Sequence, residues 1–303
     1  YEENKEMYRQ YMETRDIKYV DFQVKASAAD RKALMATMVE AQKNLQANED
    51  PAQVVRKAQS QVSFTGVPVS SKVMPRDIAA KIDSMSVGQT TAPFETVYDN
   101  TLNVVKLISS VQIPDSVEYC QIQVGAETIE KTRQRADSIY KALAAGADFE
   151  DIAKKYGQEG KPQWFTSNMY EAAPTIDADT KKYIEALTQS EGLKNVEFTQ
   201  GNVIVKVTTR KSMSTKYVAA IVKHTIDFSK ATYSAAYNKF SQYVSESQNA
   251  EALVNNAKKY GYTVLERADI LNSEHNVAGV RSTHEAMKWI FDREKSEVSP
   301  LYE

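Results

Sequence analysis

Apolar and polar residues alternate with period two in three short runs of the chain, and each run is followed by apolar positions at helical spacing. In the first run Ile17, Tyr19, Asp21 and Gln23 alternate with Lys18, Val20, Phe22 and Val24, with β-branched and aromatic residues on both faces. Val117–Val124 and Lys216–Val222 repeat the pattern. The helical spacing i, i+4, i+7, i+11 follows as Leu34, Met38, Ala41 and Leu45, then as Thr132, Ala136, Ile139 and Leu143, then as Tyr233, Tyr237, Phe240 and Val244. Ser27-Ala28-Ala29-Asp30 reads as a capping start for the first of these helices. Asp50, Asp148 and Asn249 each stand five residues past the last member of a set, where they predict the N-cap of a second, shorter helix. Pro51 suits the first position of such a helix, where a missing N–H costs nothing.

The similarity extends further. Ala153-Lys154-Lys155-Tyr156-Gly157 recurs as Ala257-Lys258-Lys259-Tyr260-Gly261, and Tyr119 and Lys206 stand 100 residues after Tyr19 and Lys106. Strand candidates follow at Gln61–Thr65, Gln163–Phe165 and Tyr262–Leu265. Next come helices carrying Ile78 and Ile82, then Tyr183, Ile184 and Leu187, then Met287, Ile290 and Phe291. Closing strands are predicted at Leu102–Leu107 and Gly201–Val207, and residue 303 is reached before a third. The last copy therefore should leave a sheet edge open to another strand. This organisation predicts an α+β chain: a helical leader over 1–16, then copies at 17–112, 113–213 and 214–303, the last truncated.

Composition narrows the function. A formal charge of −2 gives no global attraction to nucleic acid or anionic membrane. One cysteine, Cys120, excludes an internal disulfide framework and reads as a half-buried strand residue. His224, His275 and His284 lack metal-ligand spacing, and no phosphate loop or nucleophile elbow is present, so no metal or cofactor is expected. No run approaches the roughly 18 apolar residues of a membrane span. Because the chain begins at Tyr1 rather than Met, we expect it to be a piece of a longer protein, and a membrane anchor could only lie upstream.

The segment Gly146-Ala147-Asp148-Phe149-Glu150-Asp151-Ile152-Ala153-Lys154-Lys155-Tyr156, with Gln163-Trp164-Phe165 and the run Gly201–Val207, resembles parvulin-type peptidyl-prolyl cis-trans isomerase domains, as arranged in the SurA and PpiD periplasmic foldases. The likeness implies tandem parvulin-like domains, each a small, mainly antiparallel sheet flanked by helices. It also implies a periplasmic or envelope location and polypeptide partners that are unfolded or contain proline. The family's site carries a histidine on the opening strand and another on the closing strand, with a Cys or Asp between them. Those positions fall here at Gln121 and Val203, with Glu159 the nearest substitute for the third. The corresponding positions are Asp21 and Asn103 in the first copy and Ala219 in the third.

Prolyl isomerisation needs no covalent step, only a pocket that holds the ring and favours a twisted amide over a barrier of about 18–20 kcal/mol. The expected role is therefore binding of client polypeptide by a surface of Gln121, Trp164, Phe165, Met169 and Val203, with little or no catalysis. Two alternatives stand beside it: a weakly active second copy, in which Gln121 or the Trp164 indole donates a hydrogen bond, and an array that only spaces other domains. The 17 Tyr and 2 Trp favour binding over spacing, since their amphipathic rings suit transient contact with unfolded chains.

Overall fold

The computed structural model describes residues 13–277 and 279–303. They run β1 (Thr14–Tyr19), α1 (Ala28–Gln46), α2 (Pro51–Lys57), α3 (Arg76–Ile82), β2 (Phe94–Thr96), β3 (Thr101–Val124), α4 (Ile129–Ala144), α5 (Phe149–Lys155), β4 (Gln163–Thr166), α6 (Ala178–Thr188), β5 (Gly192–Phe198), β6 (Gly201–Thr225), α7 (Lys230–Glu246), α8 (Ala250–Tyr260), β7 (Leu265–Leu271) and α9 (His284–Asp292). Lys32–Ile226 forms one compact unit, and the described residues before Lys32 combine with those after Ile226 in another.

The first unit is built on β3 and β6, of 24 and 25 residues, paired antiparallel from Thr101↔Thr225 to Val124↔Asn202. Each is two expected strands fused. Residues 208–216 contain neither Gly nor Pro and include three threonines, so the chain continues as one strand, kinked only at Ser212, whose φ is +57°. Register shifts at Leu107/Ser109 and Glu118/Tyr119 mark the ends of a middle stretch, where bulges add twist and give each half of the ribbon its own core. The sheet order is β2-β3-β6-β5, with β4 on the same edge of β3 as β2, farther along the strand.

Each end of this ribbon carries a domain within the unit, and in the second, which holds α4 to β5, the apolar alternation serves both faces. Cys120, Ile122, Val124 and Ile204 meet Ala136 and Ile139 of α4 and Phe149 and Ala153 of α5. Val117, Tyr119, Val203, Val205 and Val207 meet Leu187 of α6. Each fully buried aliphatic side chain contributes about 1.5–3 kcal/mol. The first domain reuses the ladder from its other end. Val105 and Leu107 of β3 and Ile221 of β6 pack on Ile78 and Ile82 of α3. Buried Lys106 reaches the end of α1, donating to Leu45 O and Asn48 Oδ1 at 2.6 Å each, which satisfies a carbonyl the helix leaves unpaired.

The middle of the ribbon holds a buried ion cluster. The Lys216 side chain is 0% exposed, and its Nζ lies 2.8 Å from Asp115 Oδ1 and 2.5 Å from Glu171 Oε1. Glu171 also accepts from Ser70 N at 3.2 Å. A strap of the first domain is thereby tied to the second: Val67 packs on Tyr170 and Ile184, and Val69 bridges Tyr217.

The second unit contains β1 paired antiparallel with β7, and two apolar clusters. Tyr243, Ala257 and Tyr260 form one with Val20, Phe240 and Tyr262, and Ile270, Val277 and Met287 form the other with Ile17.

Many local expectations hold. Ser27 and Asp30 make a reciprocal capping box, Ser27 N donating to Asp30 Oδ2 at 2.8 Å and Asp30 N to Ser27 Oγ at 3.1 Å. Asp50, Asp148 and Asn249 all cap as predicted. Others change. Gln61–Thr65 is irregular rather than a strand, the opening strand lies at Thr14–Tyr19 rather than Ile17–Val24, and the third middle strand is Leu265–Leu271. The boundaries 17–112, 113–213 and 214–303 are not those of the compact units. Instead the two outer opening strands trade places: the run from Lys216 pairs with the closing strand of the first copy, while β1 pairs with β7 of the third. Opening strands of like pattern are interchangeable partners, and alternation does not specify which one a distant strand selects. Of the leader over 1–16, residues 1–12 lie outside the described residues, and Thr14–Asp16 is strand.

Candidate peptide-binding face

Alternation along β3 turns Val117, Tyr119 and Gln121 to the face that α6 covers, and β6 brings Val203, Val205 and Val207 to the same face. Gln121 is opposite Val205 and Gln123 opposite Val203, so Gln121 and Val203 are diagonal neighbours. Tyr183 of α6 stands over them. Its hydroxyl lies 2.7 Å from Gln121 Oε1 and 2.8 Å from the Tyr119 hydroxyl. With a single proton, Tyr183 donates to the amide oxygen and accepts from Tyr119. Burial, with the contact to Tyr119 behind it, raises the Tyr183 phenol well above its ordinary range, so it stays a neutral donor.

Aromatic rings surround this hydroxyl. Tyr183 meets Tyr119, Phe165 and Phe198 edge-on, with centroids 6.1, 6.3 and 6.1 Å away. Phe165 in turn stacks on Tyr170 at 5.7 Å. Val67 and Val69 of the strap pack in one cluster with Phe165, Tyr170 and Ile184, so the chain itself closes that flank.

The structure thus brings together Gln121, Phe165 and Val203 and separates the other candidates from them. Trp164 opposes Glu118, on the face away from Phe165; it is 42% exposed, with Lys211 Nζ 4.7 Å from its ring centroid. One residue of β4 suffices to send adjacent side chains to opposite faces. Met169 lies in a short 3₁₀ turn, Ser167–Met169, and is 64% exposed. Glu159 pairs with Lys161 at 3.2 Å in an exposed loop. The neighbouring Gln158 instead borders β3, accepting from Gln123 N at 2.8 Å and donating to Gln123 O at 2.7 Å. Cys120 is buried on the opposite face, and its burial raises the thiol pKa. In the first domain the matching position on β3, Asn103, is fully buried and donates to Thr96 and Thr101.

Sequence reasoning missed Tyr183, Tyr170 and Phe198. In the sequence Tyr183 belongs to an apolar helix face, yet a tyrosine at such a position needs a partner for its hydroxyl, and that requirement is the available signal. Among the described residues no group of three or more His, Cys, Asp or Glu is arranged to hold a metal, and no helix is long and apolar enough to cross a membrane. What remains is a neutral hydrogen-bonding pair in an aromatic frame, without an imidazole.

Two family models match, both for the PPIC-type PPIase domain, one over residues 1–116 and the other over 102–211. The chain belongs to this parvulin-type family of peptidyl-prolyl isomerase domains, with two such domains in tandem. The first match follows chain order and includes β1, whereas in the fold β1 pairs with β7. No curated protein matches the chain.

Proposed function

We propose that this PPIase-like folding factor binds unfolded, proline-containing polypeptide on the Tyr183 face of its second domain and catalyses isomerisation little or not at all, in the periplasm or cell envelope. One observation carries the reading. The two positions where the family has histidines hold Gln121, whose amide oxygen is taken up by Tyr183, and Val203, a buried aliphatic residue. An aliphatic side chain offers no hydrogen bond. The aromatic frame supports the binding half, because rings with a few convergent polar groups suit extended peptides. A weakly active second domain is the competing reading, favoured by the Tyr183 hydroxyl, whose proton a twisted amide would take over from Gln121.

The test is a titration of a reduced, carboxymethylated client protein against the chain and its Phe165→Ala variant, with melting curves alongside. Phe165 joins the Tyr183 frame to the Tyr170 flank, so its loss should weaken binding by about thirtyfold, the ~2 kcal/mol of a binding hot spot. Unchanged affinity in a folded variant would remove the face from consideration.

A further inference from the structure

Among the described residues the sheet of the second unit has two strands, β1 and β7, beside helices with broad apolar faces. In the second domain the order across the sheet is β4, β3, β6, β5. The apolar face of α4 packs on the closing strand there, Ala136 and Ile139 sharing a cluster with Ile204. The other unit reproduces the first two positions, with β7 in the place of β4 and β1 in the place of β3. Past α9, where β5 follows α6, runs the segment Arg293–Glu303. It is held at both ends: Ser296 O accepts from Ala250 N at 3.2 Å, and Glu303 hydrogen-bonds Tyr233. Between β1 and this segment, in the place of β6, is a cavity of about 1410 Å³.

Three features give the cavity the form of a strand slot. Every residue of β1 from Thr14 to Tyr19 lines it, both alternations together, whereas β7 contributes only Asp269, so the cavity runs along the backbone edge of β1 that faces away from β7. Tyr233, Tyr237, Phe240 and Val244, the α7 positions whose spacing predicts a core face, line it too, and Tyr237 is 40% exposed. Among the described residues β1 has no strand partner other than β7.

We propose that this slot accepts one extended polypeptide segment, with apolar side chains at alternate positions, paired antiparallel to the free edge of β1. Backbone pairing supplies affinity without demanding a sequence, and the aromatic wall of α7 receives every second side chain. The occupant is an unfolded polypeptide. A second copy of the chain has both its matching closing strands engaged in the β3–β6 ladder. The slot is separate from the Tyr183 face, so either can fail while the other stands.

The probe is a fluorescent peptide of sequence Gly-Asn-Val-Ile-Val-Lys-Val, copied from Gly201–Val207, titrated against the whole 303-residue chain. Amide hydrogen exchange serves as the site-resolved readout. Saturable binding is expected, with exchange at Thr14–Tyr19 slowed at least tenfold. A peptide N-methylated at alternate residues, which keeps its side chains but cannot pair, should bind at least tenfold more weakly. Ala236→Trp, which fills the slot from α7, should weaken the peptide at least tenfold and leave client binding to the Tyr183 face unchanged. Equal binding of the N-methylated peptide, protection confined to β3 and β6, or self-association of the chain that the peptide reverses would each overturn the proposal.

Discussion

Replacing Lys216 with Met isolates what the ion cluster contributes to the union of the first two domains. The ammonium is 0% exposed and bonds Glu171, whose side chain is 6% exposed, and Asp115, at 43%. Removing one partner of a buried pair typically costs about 3–5 kcal/mol, most of it from the charge left behind. Two features place this site at the low end. Asp115 regains water, and Glu171 keeps the Ser70 N–H. We expect a loss of about 3 kcal/mol, read in urea unfolding of the Lys32–Ile226 signal as a midpoint lowered by about 1 M for a slope of about 3 kcal/mol/M. Because the orphaned carboxylate carries the penalty, Lys216→Met with Glu171→Leu should recover at least about 1.5 kcal/mol of that loss. If Lys216→Met unfolds within about 0.5 kcal/mol of the parent, the cluster is not what joins the domains, and the strap's apolar contacts suffice.

Other outcomes follow from single residues. Gly160 sits at φ +65°, where a Cβ would lie 2.6 Å from Ala153 Cβ, so Gly160→Ala should lose about 1–3 kcal/mol in thermal unfolding. Glu246 is held at about 2, below an ordinary 4.5, chiefly by its hydrogen bond from Lys259. A depressed carboxyl contributes stability that is complete above 4.5 and is lost as pH falls toward 2, so the α7–α8 pair should loosen through that window, and Glu246→Gln should flatten its pH dependence in acid unfolding followed by circular dichroism. Trp164→Ala should leave client affinity unchanged where Phe165→Ala weakens it, because Trp164 is on the other face of β4.

Local chemistry was legible in the sequence. Capping residues act within one helical turn, so Ser27, Asp50, Asp148 and Asn249 identify their helices without knowledge of the fold. The periodic faces of α1 and α4 are core for the same reason. Strand partnership was not legible, since Ile17–Val24 and Lys216–Val222 carry like patterns and either can serve a closing strand hundreds of ångströms of chain away. The absence of Gly and Pro through residues 208–216 was the sign that β6 would continue unbroken. In the candidate site, the histidine positions of the family point to Gln121 and Val203, whereas Trp164 and Phe165, adjacent on one strand, are sent apart by alternation alone. Tyr183 depends on α6 crossing the sheet above Gln121, a tertiary fact with no local signature.

Binding without turnover is tested most directly by exchange spectroscopy on a proline-containing peptide held at saturation by the chain, with the cis–trans rate measured free and bound. Binding should broaden and shift the resonances of the peptide while the rate stays near the uncatalysed value, with a time constant of about 10–100 s. A bound rate raised a hundredfold or more, and lost in Tyr183→Phe, would contradict the account and make the second domain an isomerase that works without histidine.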